Sequence, residues 1–177
     1  MTKPAKKELA SLGHKGPISE IKKLIRHTMT LFFNGDINVP PPFVTGPPGV
    51  GKTDMIVQLA AEFDARYYDD PLIIKDCVDF RGVPYVQHDG DMPLTRWAQP
   101  AEMPRGGRFV WHFDEFSQAF PSLQNASSRL MLPRRLGEYR VPDDAFIVLC
   151  SNREGDKAST HRVGSFLNNR TSHYEVE

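Results

Sequence analysis

Apolar residues recur at three- and four-residue spacing through Ile18, Ile21, Leu24, Ile25, Met29, Phe32 and Phe33, which predicts one helical stripe ending at Asn34-Gly35. A second stripe, Met55, Ile56, Leu59, Ala60 and Phe63, predicts a helix over 51–63. Between them Pro40, Pro41 and Pro42 form a stiff connector into a short strand, Phe43 to Thr45. Arg108 to Asp114 and Ala145 to Ser151 are nearly continuous in apolar character, the pattern of central parallel strands covered on both faces. Phe116 to Leu132 reads as a helix between them, Arg135 to Pro142 as a short hairpin about Gly137, and His173 to Val176 as a final strand. The region from Ala65 to Gly107 is less regular. It offers a strand at Arg66–Tyr68 or at Leu72–Ile74, then a Pro/Gly/Asp-rich passage around Trp97. The repeated strand-helix-strand order predicts an α/β fold with a parallel sheet and right-handed crossovers.

At 177 residues the chain suits one globular domain with a real core. Residues 1–16, rich in Lys, Gly and small side chains, read as a flexible tail, and 17–177 as the folded unit. The 22 basic and 22 acidic residues cancel, so no overall field draws the chain to nucleic acid or to an anionic membrane. Cys77 and Cys150 stand far apart and form no metal or disulfide framework, which suits a reducing cytoplasm. No run reaches the ~18 apolar residues of a membrane span, so no membrane partner is expected.

Chemistry enters with Gly46-Pro47-Pro48-Gly49-Val50-Gly51-Lys52-Thr53, a P-loop at every fixed position, lying between the Phe43–Val44 run and a helix that opens at Asp54. Such a loop converges backbone N–H groups on phosphate oxygens, extends Lys52 to the β- and γ-phosphates, and offers the Thr53 hydroxyl to Mg²⁺. Gly46 through Asp54 is therefore the candidate nucleotide-binding set. The strand Phe109 to Phe113 ends in Asp114-Glu115, which places two carboxylates at the sheet edge where the P-loop opens. Asp114 can hold Mg²⁺ there and Glu115 can polarise a water for attack on the γ-phosphate. The Ala145 strand ends in Ser151-Asn152. The Asn152 amide can contact both the γ-phosphate and that water, from a strand neighbouring the one that carries Asp114.

Together these residues resemble Walker A, Walker B, sensor 1 and, with Asn169-Arg170, the arginine finger of AAA+ ATPases of the MoxR-like branch. The resemblance runs from about Ile18 onward. Its finer marks are Asp79-x-Arg81-Gly82-x-Pro84, Asp114 to Ala119, Arg135 to Tyr139, Asn152-Arg153-Glu154 and His161-Arg162. It implies a P-loop NTPase three-layer αβα sandwich with a parallel five-stranded sheet. It also implies ATP and Mg²⁺ as cofactors, a ring of subunits, hexameric in similar proteins, and remodelling of a protein client, with a von Willebrand factor A protein as the associated partner. The finger is Arg170 or Arg162, with Arg170 favoured because it stands just before the final strand. Family members continue into a helical lid bearing a sensor 2 arginine; this sequence stops at Glu177, and no sensor 2 residue is assigned.

Other readings stay open. A nucleotide-gated interaction module with little turnover, or a helicase-loader-like DNA ATPase, would use the same motifs. Arg134, Arg135 and Arg140 form a basic cluster that DNA would attract, although in a neutral protein a solvated hairpin or a subunit contact is favoured. The histidines lack metal spacing: His112 reads as a packed core residue, and His161 and His173 as supports of the finger segment. Trp97 reads as core.

Overall fold

The computed structural model describes residues 13–153, Leu167 and 170–177. The Ile18 stripe becomes α1 (Ile18–Phe33), which buries Ile21, Ile25, Met29 and Phe32. After β2 (Pro42–Thr45) comes α2 (Lys52–Glu62), burying Met55, Ile56, Leu59 and Ala60. The two helices are clamped at the surface by Glu62, which accepts from Arg26 Nε at 2.7 Å and pairs with Lys22 Nζ at 2.9 Å. Hydrogen bonding from Arg26, then from Lys22, pulls the Glu62 carboxyl down to about 2.

Among the described residues the sheet is parallel throughout and six-stranded, in the order β1-β10-β2-β9-β6-β3. Its strands are β1 (His14–Gly16), β2, β3 (Arg66–Pro71), β6 (Phe109–Asp114), β9 (Ala145–Ser151) and β10 (Ser172–Val176). Alternation along the central strands builds two cores. Phe43, Phe109, Trp111, Phe113, Ile147 and Leu149 face α4 (Pro121–Met131) and its neighbours; Val44, Val110, Phe146, Val148 and Cys150 face α1 and α2. The result is the expected αβα sandwich. Burying each of these large side chains contributes about 1.5–3 kcal/mol, so the two cores dominate the stability of the fold.

Two expectations are corrected at the N-terminus. The five-stranded sheet has a sixth strand, β1, and the residues that form it had been assigned to a tail extending to residue 16. His14, Lys15 and Gly16 pair in parallel with Tyr174, Glu175 and Val176. So short an edge strand, exposed at His14 and Lys15, carries no apolar alternation to reveal it; its Lys15 is held by Glu175 at 3.5 Å and Glu177 at 3.3 Å. Residues 1–12 of that tail lie outside the described residues.

The helix expected over 116–132 is broken. Glu115 is left-handed, Phe116–Gln118 make one 3₁₀ turn, and α4 starts afresh with Pro121 in its first turn. Proline fits there because its missing N–H needs no partner, and it cannot continue a helix from upstream. In the irregular region the Arg66 alternative is the strand, and Leu72–Ile74 is a 3₁₀ turn. The short α3 (Cys77–Arg81) leads to an antiparallel ribbon, β4 (Val83–Asp89) and β5 (Met92–Ala98), closed by Gly90-Asp91. Gly82 enters the ribbon at φ +82°, ψ −167°, a conformation open essentially to glycine alone. Trp97 is half-buried rather than core, and the Arg81 guanidinium lies 3.7 Å from its ring centroid. The expected hairpin about Gly137 is present as β7 (Arg135–Leu136) and β8 (Tyr139–Arg140), and Arg96 on β5 pairs with Glu138 at its tip at 3.4 Å.

Candidate nucleotide site

The parallel strands β2, β6 and β9 deliver their C-terminal ends to one edge of the sheet. There a cavity of about 300 Å³ is lined by Pro48, Gly49, Gly51, Lys52, Thr53, Asp54, Asp114, Glu115 and Asn152. Gly46, Pro47 and Val50 complete the loop; Gly49 and Gly51 stand at φ +77° and +88°, which frees the chain to curl around the mouth of α2. The first turn of α2 presents N–H groups without intrahelical acceptors, a natural seat for phosphate.

The Lys52 ammonium, nearly buried, donates to Gly46 O at 2.8 Å, Pro47 O at 2.9 Å and Asn152 Oδ1 at 3.2 Å. Thr53 Oγ1 donates to Asp114 Oδ2 at 3.1 Å, so the two expected metal-holding oxygens already meet. Hard oxygen donors of this kind, one hydroxyl and one carboxylate beside a phosphate seat, fit Mg²⁺. Asp114 uses its other oxygen to accept the Glu115 N–H at 2.8 Å. Glu115 stands at φ 54°, ψ 33°, a strained conformation for a non-glycine residue, and lines the cavity. The next turn is pinned to the Asn152 strand, because Ser117 N donates to Ser151 Oγ at 3.1 Å and the two hydroxyls also bond. Partial burial first, then the charges of Asp114 and Asp69, raise the Glu115 carboxyl above its ordinary range.

Sequence reasoning passed over the support behind Asp114. His112 is fully buried, and its Nδ1 lies 2.8 Å from Tyr67 Oη and 3.1 Å from Asp69 Oδ1. Ligand atoms of Asp69, His112 and Asp114 fall within 4.8 Å of one another. A polar residue inside an apolar strand was the signal, and its partners sit on β3, paired with β6 from 43 to 45 residues away. Arg170 is not brought to this cavity. It lines a separate cleft with Asn125, Ser128, Arg129, Leu132 and Pro133. Glu154, His161, Arg162 and Asn169 lie outside the described residues. His173 stands 3.1 Å from Thr171 Oγ1, next to Arg170. Among the described residues no helix is long and apolar enough to cross a membrane.

No protein-family model matches the chain, and no curated protein matches its sequence. Solved structures match its fold. The RuvB Holliday junction branch migration motor of Thermotoga maritima aligns with TM-score 0.59 and 14% identity, over 90% of this chain and 45% of that one. A protein of Cytophaga hutchinsonii described as a candidate ATPase aligns with TM-score 0.60 and 14% identity, over 88% of this chain and 46% of that one. The chain thus spans about half the length of the structures it matches. With a P-loop at the end of β2, the Asp-Glu pair at the end of β6 and Asn152 at the end of β9, the chain shares the α/β fold of these two structures, a parallel sheet flanked by helices.

Proposed function

We propose that the chain is a Mg²⁺-dependent ATPase of the MoxR-like kind, working between neighbouring copies in a ring and remodelling a protein client. The observation that carries the catalytic part is the single cavity gathering Lys52, Thr53, Asp114, Glu115 and Asn152. Lys52 and the loop N–H groups bind the β- and γ-phosphates, Thr53 and Asp114 hold the metal, and Asn152 orients the attacking water. Glu115 accepts the water proton as the new bond to the γ-phosphorus forms and the bond to the β,γ-bridging oxygen breaks. When bound, Mg²⁺ supplies charge neutralisation across the phosphates.

Protein rather than DNA is favoured as the client because the basic cluster is internally engaged. Arg134 Nη2 donates to Pro142 O at 2.6 Å and Ala145 O at 2.8 Å, Arg135 to Gly137 O at 3.0 Å, and Arg140 faces Asp143 at 3.7 Å. Meanwhile the β4–β5 ribbon exposes Val83, Tyr85, Val86 and Met92, apolar surface suited to a polypeptide. The MoxR-like resemblance adds a von Willebrand factor A protein as the partner class.

Phosphate release from MgATP, followed over a range of chain concentrations, tests this reading. Turnover that rises with concentration and vanishes in Lys52→Ala supports it; a folded chain that binds ATP without turnover at any concentration overturns it. Mixing Arg170→Ala with Lys52→Ala chains tests the finger: recovery of activity places Arg170 in trans, and a dead mixture of co-assembled chains moves the role to Arg162.

A further inference from the structure

We infer that Ser151 is a positioning residue for Glu115: its buried hydroxyl, bonded to Ser117, fixes the turn that carries Glu115 against the strand that leads to Asn152. The inference rests on the ATPase reading above and adds a residue which that reading does not contain.

The need for such a contact arises where β6 stops. Its pairing with β9 runs out at Phe113 and Leu149, while β9 continues to Ser151. On its other side Ser151 pairs with Thr45, the last residue of β2 before the P-loop. The Phe116–Gln118 turn bonds to Ser151 instead of a strand. Within that turn Gln118 N donates to Glu115 O at 2.9 Å and Ala119 N to Phe116 O at 3.3 Å. The Ser117 N–H precedes the first of these bonds, as the early N–H groups of any helical turn do, and so needs an acceptor from outside the turn. Ser151 Oγ supplies it at 3.1 Å, and the two hydroxyls bond to each other as well.

Both serines are buried, Ser117 at 4% exposure and Ser151 at 1%, so bulk water does not compete for the contact. A hydrogen bond also holds its partners within a window of about 0.5 Å, a precision that apolar packing does not impose. Two residues before Ser117, the Glu115 N–H donates to Asp114 Oδ1 at 2.8 Å. Glu115 and Asn152, the residue after Ser151, both line the nucleotide cavity. The base and the amide that orients the water thus come from two segments joined through the serine pair. General-base catalysis depends on that separation, since a displacement of about 1 Å can cost ~10²-fold in rate.

Turnover, nucleotide affinity and amide exchange test it together. Ser151→Ala is expected to lower kcat at least about tenfold, while KM and the Kd of a fluorescent ATP analogue move by less than about twofold. Because the Ser117 N–H left unpaired also costs stability, the decisive comparison is a double-mutant cycle with Glu115→Gln, run below the melting transition of every variant. With the base already gone, adding Ser151→Ala should lower the residual single-turnover rate by less than about twofold. A merely structural role would lower it by the same factor in either background, and that result overturns the inference. Ser151→Cys, near serine in size but a weak acceptor, should be as slow as Ser151→Ala; full rate there would reduce the site to packing and overturn it too. Hydrogen exchange should quicken in the peptide spanning 115–118 of Ser151→Ala and stay unchanged in α1 and α2. Unchanged exchange at 115–118, or an undiminished kcat in a chain that hydrolyses ATP, sinks the positioning role alone. An unsubstituted chain that hydrolyses nothing sinks the ATPase reading and the positioning role together, so the two failures are told apart.

Discussion

Lys52 Nζ lies 3.2 Å from Asn152 Oδ1, joining the P-loop to the end of β9 across 100 residues of sequence. The contact sets the side-chain amide of Asn152 with its oxygen on the ammonium, and both residues line the cavity. Asn152 therefore positions Lys52 and can donate toward the γ-phosphate and the attacking water. Asn152→Ala is expected to lower ATP turnover by ~10²-fold, the usual cost of one donor at a developing charge, with a much smaller loss of ATP binding. Steady-state phosphate release beside a fluorescent-nucleotide titration checks this; an unchanged rate would reduce Asn152 to a turn residue.

Glu115 couples turnover to stability with opposite signs. Glu115→Gln should bind ATP normally and hydrolyse it at least ~100-fold more slowly, because water activation is lost and binding is not. Its carboxyl has a raised pKa, first through burial and then through Asp114 and Asp69. A raised folded pKa contributes stability that is fully present below the unfolded value, ~4.3, and is lost as the pH climbs through the folded value. Above that window the charged carboxylate costs the native state, and a neutral glutamine does not. Thermal melts should show Glu115→Gln gaining on the unsubstituted chain as pH rises, with the gain gone near pH 4. A gain independent of pH would mean that something other than this charge is responsible.

Gly82 explains why the Asp79-x-Arg81-Gly82-x-Pro84 passage has its form. Asp79 accepts the Asp76 N–H at 2.7 Å to cap α3, Arg81 stacks on Trp97, and Gly82 turns the chain into β4. A Cβ on Gly82 would lie 1.8 Å from Ala98 O, in a backbone conformation that other residues avoid. Gly82→Ala is expected to cost about 1–3 kcal/mol of strain, or to unzip the ribbon base instead. Denaturant unfolding measures the first outcome, and faster proteolysis between residues 83 and 98 detects the second.

What the sequence revealed follows from which faces are buried. Helices α1 and α2 and strands β6 and β9 bury whole faces, so their periods stand in the residues themselves, and the fixed residues of the P-loop, Asp114-Glu115 and Asn152 mark the cavity directly. The β4–β5 ribbon buries almost nothing, and Pro84 and Pro93 interrupt it, so hydrophobic alternation could not mark it. A two-residue Gly90-Asp91 connection was the one local sign of that hairpin. Strand β1 takes its partner from the other end of the chain, Tyr174 to Val176, a pairing no local pattern encodes. The same is true of the Tyr67–His112–Asp69 cluster, which exists only once β3 lies beside β6.

Asp114 carries two separable duties, one oxygen for Thr53 Oγ1 at 3.1 Å and the other for the Glu115 N–H at 2.8 Å. Asparagine keeps an oxygen able to accept from the Glu115 N–H but loses the charge that attracts a divalent cation. Asp114→Asn should accordingly melt close to the unsubstituted chain while needing at least ~10-fold more Mg²⁺ for half-maximal ATP turnover, in line with the cost of weakening a metal shell. Asp114→Ala removes both oxygens, so the left-handed Glu115 loses its anchor and stability should fall as well, by about 1–3 kcal/mol for the unpaired N–H. Thr53→Ser should keep the Mg²⁺ requirement and Thr53→Ala should raise it, because only the hydroxyl is at issue. Mg²⁺ titrations of phosphate release, paired with melting curves for each variant, separate these outcomes. If Asp114→Asn leaves the Mg²⁺ requirement unchanged, the carboxylate serves the Glu115 turn alone and the metal is held elsewhere.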